Sequence, residues 1–512
     1  MSLTTAVTWL NGRMTGMTTP SGQVIGYSYG NGRVSGVTVN GATLVTAAGY
    51  EPFGPVSVWQ WGNGHKTYRD HDADGRLTTW EYRNGASILR RDLTWDNANR
   101  ITAIADPGNG TNSATYGYDV LDRLTSALAN GVTRGYGYDA IGNRTASNVD
   151  AASTTYTYPG TSHRLQSLTG ATTRSYAYDA AGNPTQIDAA VHGYNLANRL
   201  TSVSSTSSAS YKVNALGQRV AKTVDGVTTR YVYDEQGRLI GEYQADGTLI
   251  QETVWLDDLP VATLRPTGSG TPTPVAVYYV HADHLGSPRA ITRPTDDQIV
   301  WRWDNAEPFG ANAANENPSG LGNFRYDLRF PGQQYDPETA THYNYFRDYD
   351  PTTGRYRQSD PIGLAGARDS FAYVRNSPVG RIDRWGWETA LHVSAAAAAG
   401  RTLHLMQVGF PWFVKLPFPI PVAIMIATTL WSSIKKRVHN PETRLRDAIQ
   451  NEPSVGLRGD SLQMSVLWQC PYIRLTSRVA EALKQLREAT HSKTCCRNYR
   501  RHWRPQFRCR DR

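Results

Sequence analysis

Aromatic and polar positions alternate over most of the chain, and the alternation comes in copies. Tyr116-Gly-Tyr118-Asp119 runs into Asp122-Arg123-Leu124, and Tyr136-Gly-Tyr138-Asp139 into Gly142-Asn143-Arg144. Tyr176-Ala-Tyr178-Asp179 precedes Gly182-Asn183, and Tyr231-Val-Tyr233-Asp234 precedes Gly237-Arg238-Leu239. Residues two apart on a strand share a face, so each tyrosine pair predicts a strand with one aromatic side. The Asp that follows starts a turn through its side chain, and a Gly three residues on supplies the backbone freedom to close it. Arg-Leu then re-enters a strand, so each unit predicts a β-hairpin. The second aromatic or its equivalent falls at positions 118, 138, 158, 178, 194, 213 and 233, a spacing close to 20 residues. One hairpin cannot bury such a face, whereas stacked copies can.

The expected fold is therefore mainly β: a spiral or partial shell of hairpins over residues 20–387, with turns near Gly75, Gly142, Gly182, Gly217 and Gly237. A single tyrosine in such a repeat reads as sheet packing rather than ligand contact. Composition agrees. Aromatics make up 10% and charged residues only 19%, which excludes a disordered chain, and the Tyr, Thr and Val usage disfavours a helical bundle. The start, Met1-Ser-Leu-Thr-Thr, has neither a basic region nor a long apolar run, so no secretory signal is expected there.

Charge and cysteine divide the chain. Residues 1–387 carry a net charge of −3, residues 388–512 carry +12, and all four cysteines (Cys470, Cys495, Cys496, Cys509) lie in the second part. Disulfides and thiolate metal sites therefore cannot hold the first part together. In the tail, residues 409–431 form a 23-residue lipophilic stretch with one lysine, Lys415, followed by Lys435-Lys436-Arg437. Its length suits a bilayer, which makes membrane contact one expectation, although Pro411, Pro417, Pro419 and Pro421 oppose a straight helix. Residues 474–490 have helical apolar spacing. The last twenty residues hold eight Lys and Arg, which would suit nucleic acid if the tail were a nuclease, but no nuclease constellation accompanies them. The tail is thus expected to be a small helical or disordered region, a candidate toxin or a degraded segment.

The repeats resemble the YD repeats of the RHS (rearrangement hot spot) family. Residues 278–310, 323–364 and 365–387 resemble the RHS-associated core. The resemblance implies three regions: repeats over 1–270, a core domain over 271–387 and a variable tail over 388–512. It also implies a hollow β-shell of a bacterial polymorphic toxin, used in competition between cells, whose core cuts off the tail by aspartyl-type autoproteolysis. Family members are usually much longer, so the chain is expected to be a C-terminal piece. The implied partners are a cognate immunity protein and export machinery. The implied location is cytoplasmic before export, then secreted or at the cell surface. The alternatives are a non-enzymatic repeat protein for surface or carbohydrate binding, and an inactive truncated relic.

By the same resemblance, two turns carry the cut: Asp360-Pro361-Ile362-Gly363-Leu364 and Asp383-Arg384-Trp385-Gly386-Trp387. Asp360 and Asp383 are the implied catalytic pair, Pro361, Gly363 and Gly386 shape the turns, and the junction is Trp387–Glu388. Two carboxylates close enough to share a proton allow one to activate water while the other polarises the carbonyl. The apolar neighbours Pro361, Ile362, Leu364, Ile382 and Trp385 are expected to raise at least one pKa. The 22 residues between the acids leave room for a return strand such as Ser370–Val374. Arg355 is a candidate for orienting the pair, set against a turn-flanking surface arginine. Four positions depart from the family pattern: Ala367, Asp369, Phe371 and Arg384. Arg384 could pair with a catalytic carboxylate and hold it ionised, and Asp369 adds a third acid nearby. His281-Ala-Asp283-His284 has residue types that suit zinc, but it lacks further ligands and reads as a strand and turn. No phosphate loop or dinucleotide fingerprint occurs, so no cofactor or metal is expected.

Overall fold

The computed structural model describes residues 3–387 apart from 53, 161, 366 and 367, plus a small strand pair, Leu457–Arg458 with Ser461–Leu462. The chain divides into two compact units, Met1–Lys415 and Leu416–Arg512. Glu388, the lipophilic stretch 409–431, the expected helix at 474–490 and the basic end lie outside the described residues. No helix among the described residues is long and apolar enough to cross a membrane.

Twenty-nine strands, from Ala6–Leu10 to Ile299–Arg302, make one antiparallel sheet in which each strand pairs with its neighbours in sequence. Helical structure among the described residues is limited to three 3-10 turns, at Gly110–Asn112, Gly363–Ala365 and Val374–Asn376. The expected β-shell is thus present as an open, curled sheet. It passes position 270 without a break, because Val275–Ala282 pairs with Leu259–Pro266. The start of the core motif is therefore not a boundary in backbone hydrogen bonding.

Each repeat closes as its residues dictate. The five expected turn glycines all have φ between 75° and 106°. Asp139 Oδ1 accepts from the backbone N–H groups of Ile141, Gly142 and Asn143 at 2.8–3.0 Å. Where Arg stands four residues after the Asp, its Nε donates to the other carboxylate oxygen at 2.6–2.7 Å, as in Arg76–Asp72, Arg100–Asp96, Arg123–Asp119 and Arg238–Asp234. The same arginine reaches the next copy: Arg123 Nη1 donates to the Asp139 carbonyl at 2.7 Å, and its guanidinium lies 4.9 Å from the Tyr138 ring centre. The second aromatic donates backward. Tyr118, Tyr138, Tyr158, Tyr178 and Tyr233 each give their hydroxyl to a carbonyl 13–17 residues earlier, at 2.7–3.0 Å. Successive hairpins are therefore stapled in both directions.

A bulge recurs at the second aromatic position of most repeats, including four of the five staples. Gly117 faces Ser126 but Tyr118 faces Leu124, and the same one-residue shift recurs at Tyr138, Tyr178, Tyr194, Val213 and Tyr233. Bulges increase local twist, and regular repetition of one accumulates into curvature. The sheet curls until its early and late strands meet through side chains. Trp61 stacks on Tyr279 with ring centres 4.4 Å apart, Thr19 Oγ1 donates to Glu252 at 2.9 Å, and Arg69 donates to the Ala282 and Asp283 carbonyls. One apolar core joins the two ends.

After Arg302 the chain leaves the sheet and runs across it as a strap. A four-stranded sheet, Gln334–Asp336, Thr341–Asn344, Arg347–Asp350 and Arg355–Tyr356, forms its centre. Beneath it lies an aromatic core that includes Trp301, Trp303, Tyr326, Phe330, Tyr349, Tyr356 and Tyr373. The strap is fixed to the repeats by polar contacts. Arg219 and Lys222 bind Asp336, Arg174 binds Asp350 at 3.0 Å, and Tyr136 donates to Glu307 at 2.9 Å.

Candidate functional site

The site lies at the end of the strap, where four short segments meet. Three side chains come from the small sheet: Asn344, Arg347 and Tyr356. The other two are Asp360 and Asp383, brought to one point. Arg347 Nη2 lies 3.1 Å from Asp360 Oδ2 and 3.2 Å from Asp383 Oδ2, so a single nitrogen bridges both acids. The rest of Arg347 is equally engaged. Nη1 donates to the Ser370 carbonyl at 3.1 Å, Nε donates to the Gly386 carbonyl, and the guanidinium lies over the Tyr356 ring at 3.6 Å.

Asp383 is only 1% exposed and sits among donors. Its Oδ2 also accepts from the Tyr356 hydroxyl at 2.8 Å. Its Oδ1 accepts the backbone N–H groups of Gly386 at 2.8 Å and Trp387 at 3.1 Å. Donors on both oxygens suit a carboxylate, which accepts only. Asn344 sets up the hydroxyl, donating from Nδ2 to Tyr356 Oη at 2.6 Å and to the Asp383 carbonyl at 2.8 Å. Gly386 is required twice over. Its φ is 70°, and a Cβ there would sit 2.2 Å from the Asn344 carbonyl oxygen.

Asp360 has a different environment. Its N–H donates to the Ser370 carbonyl at 2.8 Å, and its Oδ1 accepts from Ile362 N–H at 3.0 Å. Burial pushes its carboxyl up to about 6, with the Asp383 charge adding to the rise and Arg347 opposing it. Of the apolar neighbours expected to raise a pKa, Ile382 is buried but Leu364 is 74% exposed and contributes no cover.

Other expected residues fall elsewhere. Arg355 is neither a surface residue nor in contact with the pair. It is 3% exposed, and its Nη1 lies 2.9 Å from Asp369. The arginine on the pair is Arg347, which sequence reasoning missed. The available signal was an arginine closing the aromatic run Tyr343-Asn-Tyr-Phe-Arg347, since a buried charge needs a partner. Arg384 pairs with Asp258 at 2.6 Å, not with Asp360 or Asp383. The return strand expected at Ser370–Val374 is reduced to one bridge, Arg355 with Ala372, because Val374, Arg375 and Asn376 turn left-handed with φ of 43°, 56° and 61°. In the zinc-like cluster, His281 Nε2 pairs with Thr292 Oγ1 at 2.9 Å, Asp283 binds Arg289 at 2.7 Å, and His284 Nε2 meets the Val379 carbonyl at 2.7 Å.

A curled sheet of stapled hairpins, crossed by a strap that pairs two buried aspartates, defines a YD-type β-shell protein. The Teneurin YD-shell family model matches residues 84–252. This match and the relatives below support an RHS/YD-repeat polymorphic toxin protein. Double-stranded DNA deaminase toxin A of Burkholderia cenocepacia is 30% identical over 200 residues, which is 34% of this chain and 14% of that protein. The probable deoxyribonuclease RhsB of Dickeya dadantii is 34% identical over 34% of this chain and 12% of its own length. The toxin protein Tse5 of Pseudomonas aeruginosa is 26% identical over 65% of this chain and 29% of its own. The chain therefore spans less than a third of each of these relatives. Among solved structures, TcdB2-TccC3 without its hypervariable C-terminal region has a TM-score of 0.63 at 20% identity, covering 75% of this chain and 21% of that one. The Photorhabdus luminescens Tc holotoxin pore has a TM-score of 0.60 at 19% identity, with the same coverage. At these identities the structures share the fold.

Proposed function

We propose that the protein is the carrier part of a polymorphic toxin and that its core cuts the chain once, between Trp387 and Glu388. The observation that carries this reading is the pair Asp360 and Asp383 on one Arg347 nitrogen, with Asp383 also gripping the N–H groups of Gly386 and Trp387. The junction thus follows directly from residues held on the acids. Water adds to the Trp387 carbonyl carbon and the C–N bond to Glu388 breaks. Asp383, as the carboxylate, takes the proton from water. Asp360, protonated below about pH 6, gives its proton to the carbonyl oxygen; as the gem-diol collapses that proton returns to Asp360 and Asp383 passes the proton from water to the leaving nitrogen. The new ends are a Trp387 carboxyl and a Glu388 amine. Because both partners would belong to one chain, the cut is intramolecular and gains a large effective concentration.

The names of the relatives favour a toxin as the released segment; delivery out of the producing cell in competition with other cells, and an immunity protein as the tail's partner, extend that reading. A membrane or nucleic-acid target for residues 388–512 belongs to the same reading. The test is the mass of the purified protein after denaturation. Two pieces are expected, the smaller starting at Glu388. A chain that stays whole after long incubation at pH 5–7 would sink the proteolytic reading and leave a binding shell or an inactive relic.

A further inference from the structure

A second buried charge pair stands behind the first. Arg355 Nη1 lies 2.9 Å from Asp369 Oδ2, and both side chains are almost fully buried, at 4% and 3% exposed. The remaining bonds of Arg355 run to the repeats and not to the strap: Nη1 to Asn143 Oδ1 at 3.3 Å and Nη2 to the His163 carbonyl at 2.8 Å. Asp369 is seated at the same place. Its Oδ1 is 3.7 Å from His163 Nδ1, and its Cβ lies against Gly142. Asn376 adds a bond from Nδ2 to the Gly142 carbonyl at 2.9 Å. The turn of one YD repeat is thus a footing for the segment 369–376.

The next residue after Asp369 is the junction of the acid site. The Ser370 carbonyl accepts from Asp360 N–H at 2.8 Å and from Arg347 Nη1 at 3.1 Å. Asp369 Oδ1 accepts from Phe371 N–H at 2.9 Å, so the carboxylate fixes the peptide unit to which this carbonyl belongs. Tyr356, next to Arg355, holds the other acid through its hydroxyl. We propose that the Arg355–Asp369 pair is a positioning element for the paired aspartates, transmitting the rigidity of the Asn143–His163 repeat turn through the Ser370 carbonyl to Asp360 and Arg347. Their bonds run to Asn143, His163, Phe371 and each other and not to Asp360 or Asp383, so they act through others.

The competing account is that the pair only packs the strap onto the sheet. A packing role lowers the folded fraction and scales the cutting rate with it. A positioning role also changes the environment of Asp360 in molecules that remain folded. This inference rests on the reading of Asp360 and Asp383 as the cutting pair, but it has a readout that does not depend on cutting.

The experiment uses the full chain with Asp369→Ala and Asp369→Asn, folded by circular dichroism and thermal melting. Two quantities are measured: the rate at which the Glu388 piece appears, and the titration midpoint of Asp360 by carboxyl carbon NMR. Asp369→Ala is expected to cut roughly tenfold slower or worse, since small misplacements of reacting groups are costly. Its Asp360 midpoint should fall from about 6 toward the ordinary carboxylate range, because the loosened turn admits water. Asp369→Asn keeps an acceptor for Phe371 N–H and for Arg355, and should cut within about threefold of the parent. A folded Asp369→Ala with unchanged rate and unchanged midpoint overturns the inference. If that variant does not fold, Arg355→Lys decides: it keeps the charge but not the fork, so an unchanged midpoint again overturns it. A parent chain that never cuts defeats the proposed function, while the midpoint shift still decides the positioning role.

Discussion

Two aspartates of the same residue type receive different roles from their surroundings. Asp383 sits under a hydroxyl, a guanidinium and two backbone N–H groups, whereas Asp360 has one N–H on its carboxylate and shares the guanidinium. Asp360→Asn and Asp383→Asn should each leave a single full-length band on a denaturing gel, because each removes one protonation role. The cutting rate should also depend on pH in a defined direction. In the proposed cut, Asp360, with its carboxyl pushed up to about 6, would donate a proton below that pH and be lost as donor above it. The rate should therefore fall about tenfold for each pH unit well above 6, once Asp360 is mostly ionised. A rate that rises through pH 7 would contradict the assignment. Arg384→Ala should change the rate by less than about threefold, since its partner is Asp258 and an exposed pair contributes roughly 0–1 kcal/mol.

At the scale of the element, the hairpin is the unit of stability. Its Asp caps the turn, its Arg ties the turn to the next copy, and its second Tyr ties the strand to the previous one. Tyr138→Phe removes only the hydroxyl that meets the Leu124 carbonyl at 2.8 Å. It should lower stability in urea by about 1 kcal/mol, the usual net worth of one such bond. No change in midpoint would mean that the staple contributes packing alone. This arrangement was legible in the spacing of Tyr, Asp and Gly. The bulge opposite the second tyrosine was not, because a one-residue skip in the partner strand leaves no mark in a hydrophobic pattern.

For the whole described unit, the joint between strap and sheet carries the largest buried charges. Asp336 Oδ1 meets Lys222 Nζ at 2.8 Å, its Oδ2 meets Arg219 Nη1 at 2.5 Å, and Glu338 lies 3.3 Å from the lysine. Burial alone would push Asp336 up, but Arg219 and Lys222 outweigh it and hold the carboxyl below its ordinary value. A depressed folded-state pKa contributes stability above the unfolded value, near 3.9, and that contribution is lost as pH falls through the folded value. The strap should therefore loosen in acid, below about pH 4, seen as a rise in tryptophan emission wavelength as Trp301 and Trp303 meet water. Asp336→Ala should cost about 3–5 kcal/mol at pH 7, since it strands two buried cations.

What the sequence determined by itself was everything with short range and a fixed period. The strand faces, the Asp-capped turns, the repeat length and the division in charge at 388 all follow from neighbours along the chain, and such preferences need no tertiary context. The two motif aspartates were also visible, through resemblance. Only the tertiary structure decided which charges meet. Arg347 reached the pair while Arg355, eight residues later, went to Asp369, because the small sheet turns one toward the strap's aromatic core and the other toward the repeats. Arg384 went to Asp258, more than a hundred residues away. A buried guanidinium is assigned by whichever carboxylates and carbonyls the fold leaves without donors, and that demand exists only after a curled sheet and its strap have closed on each other.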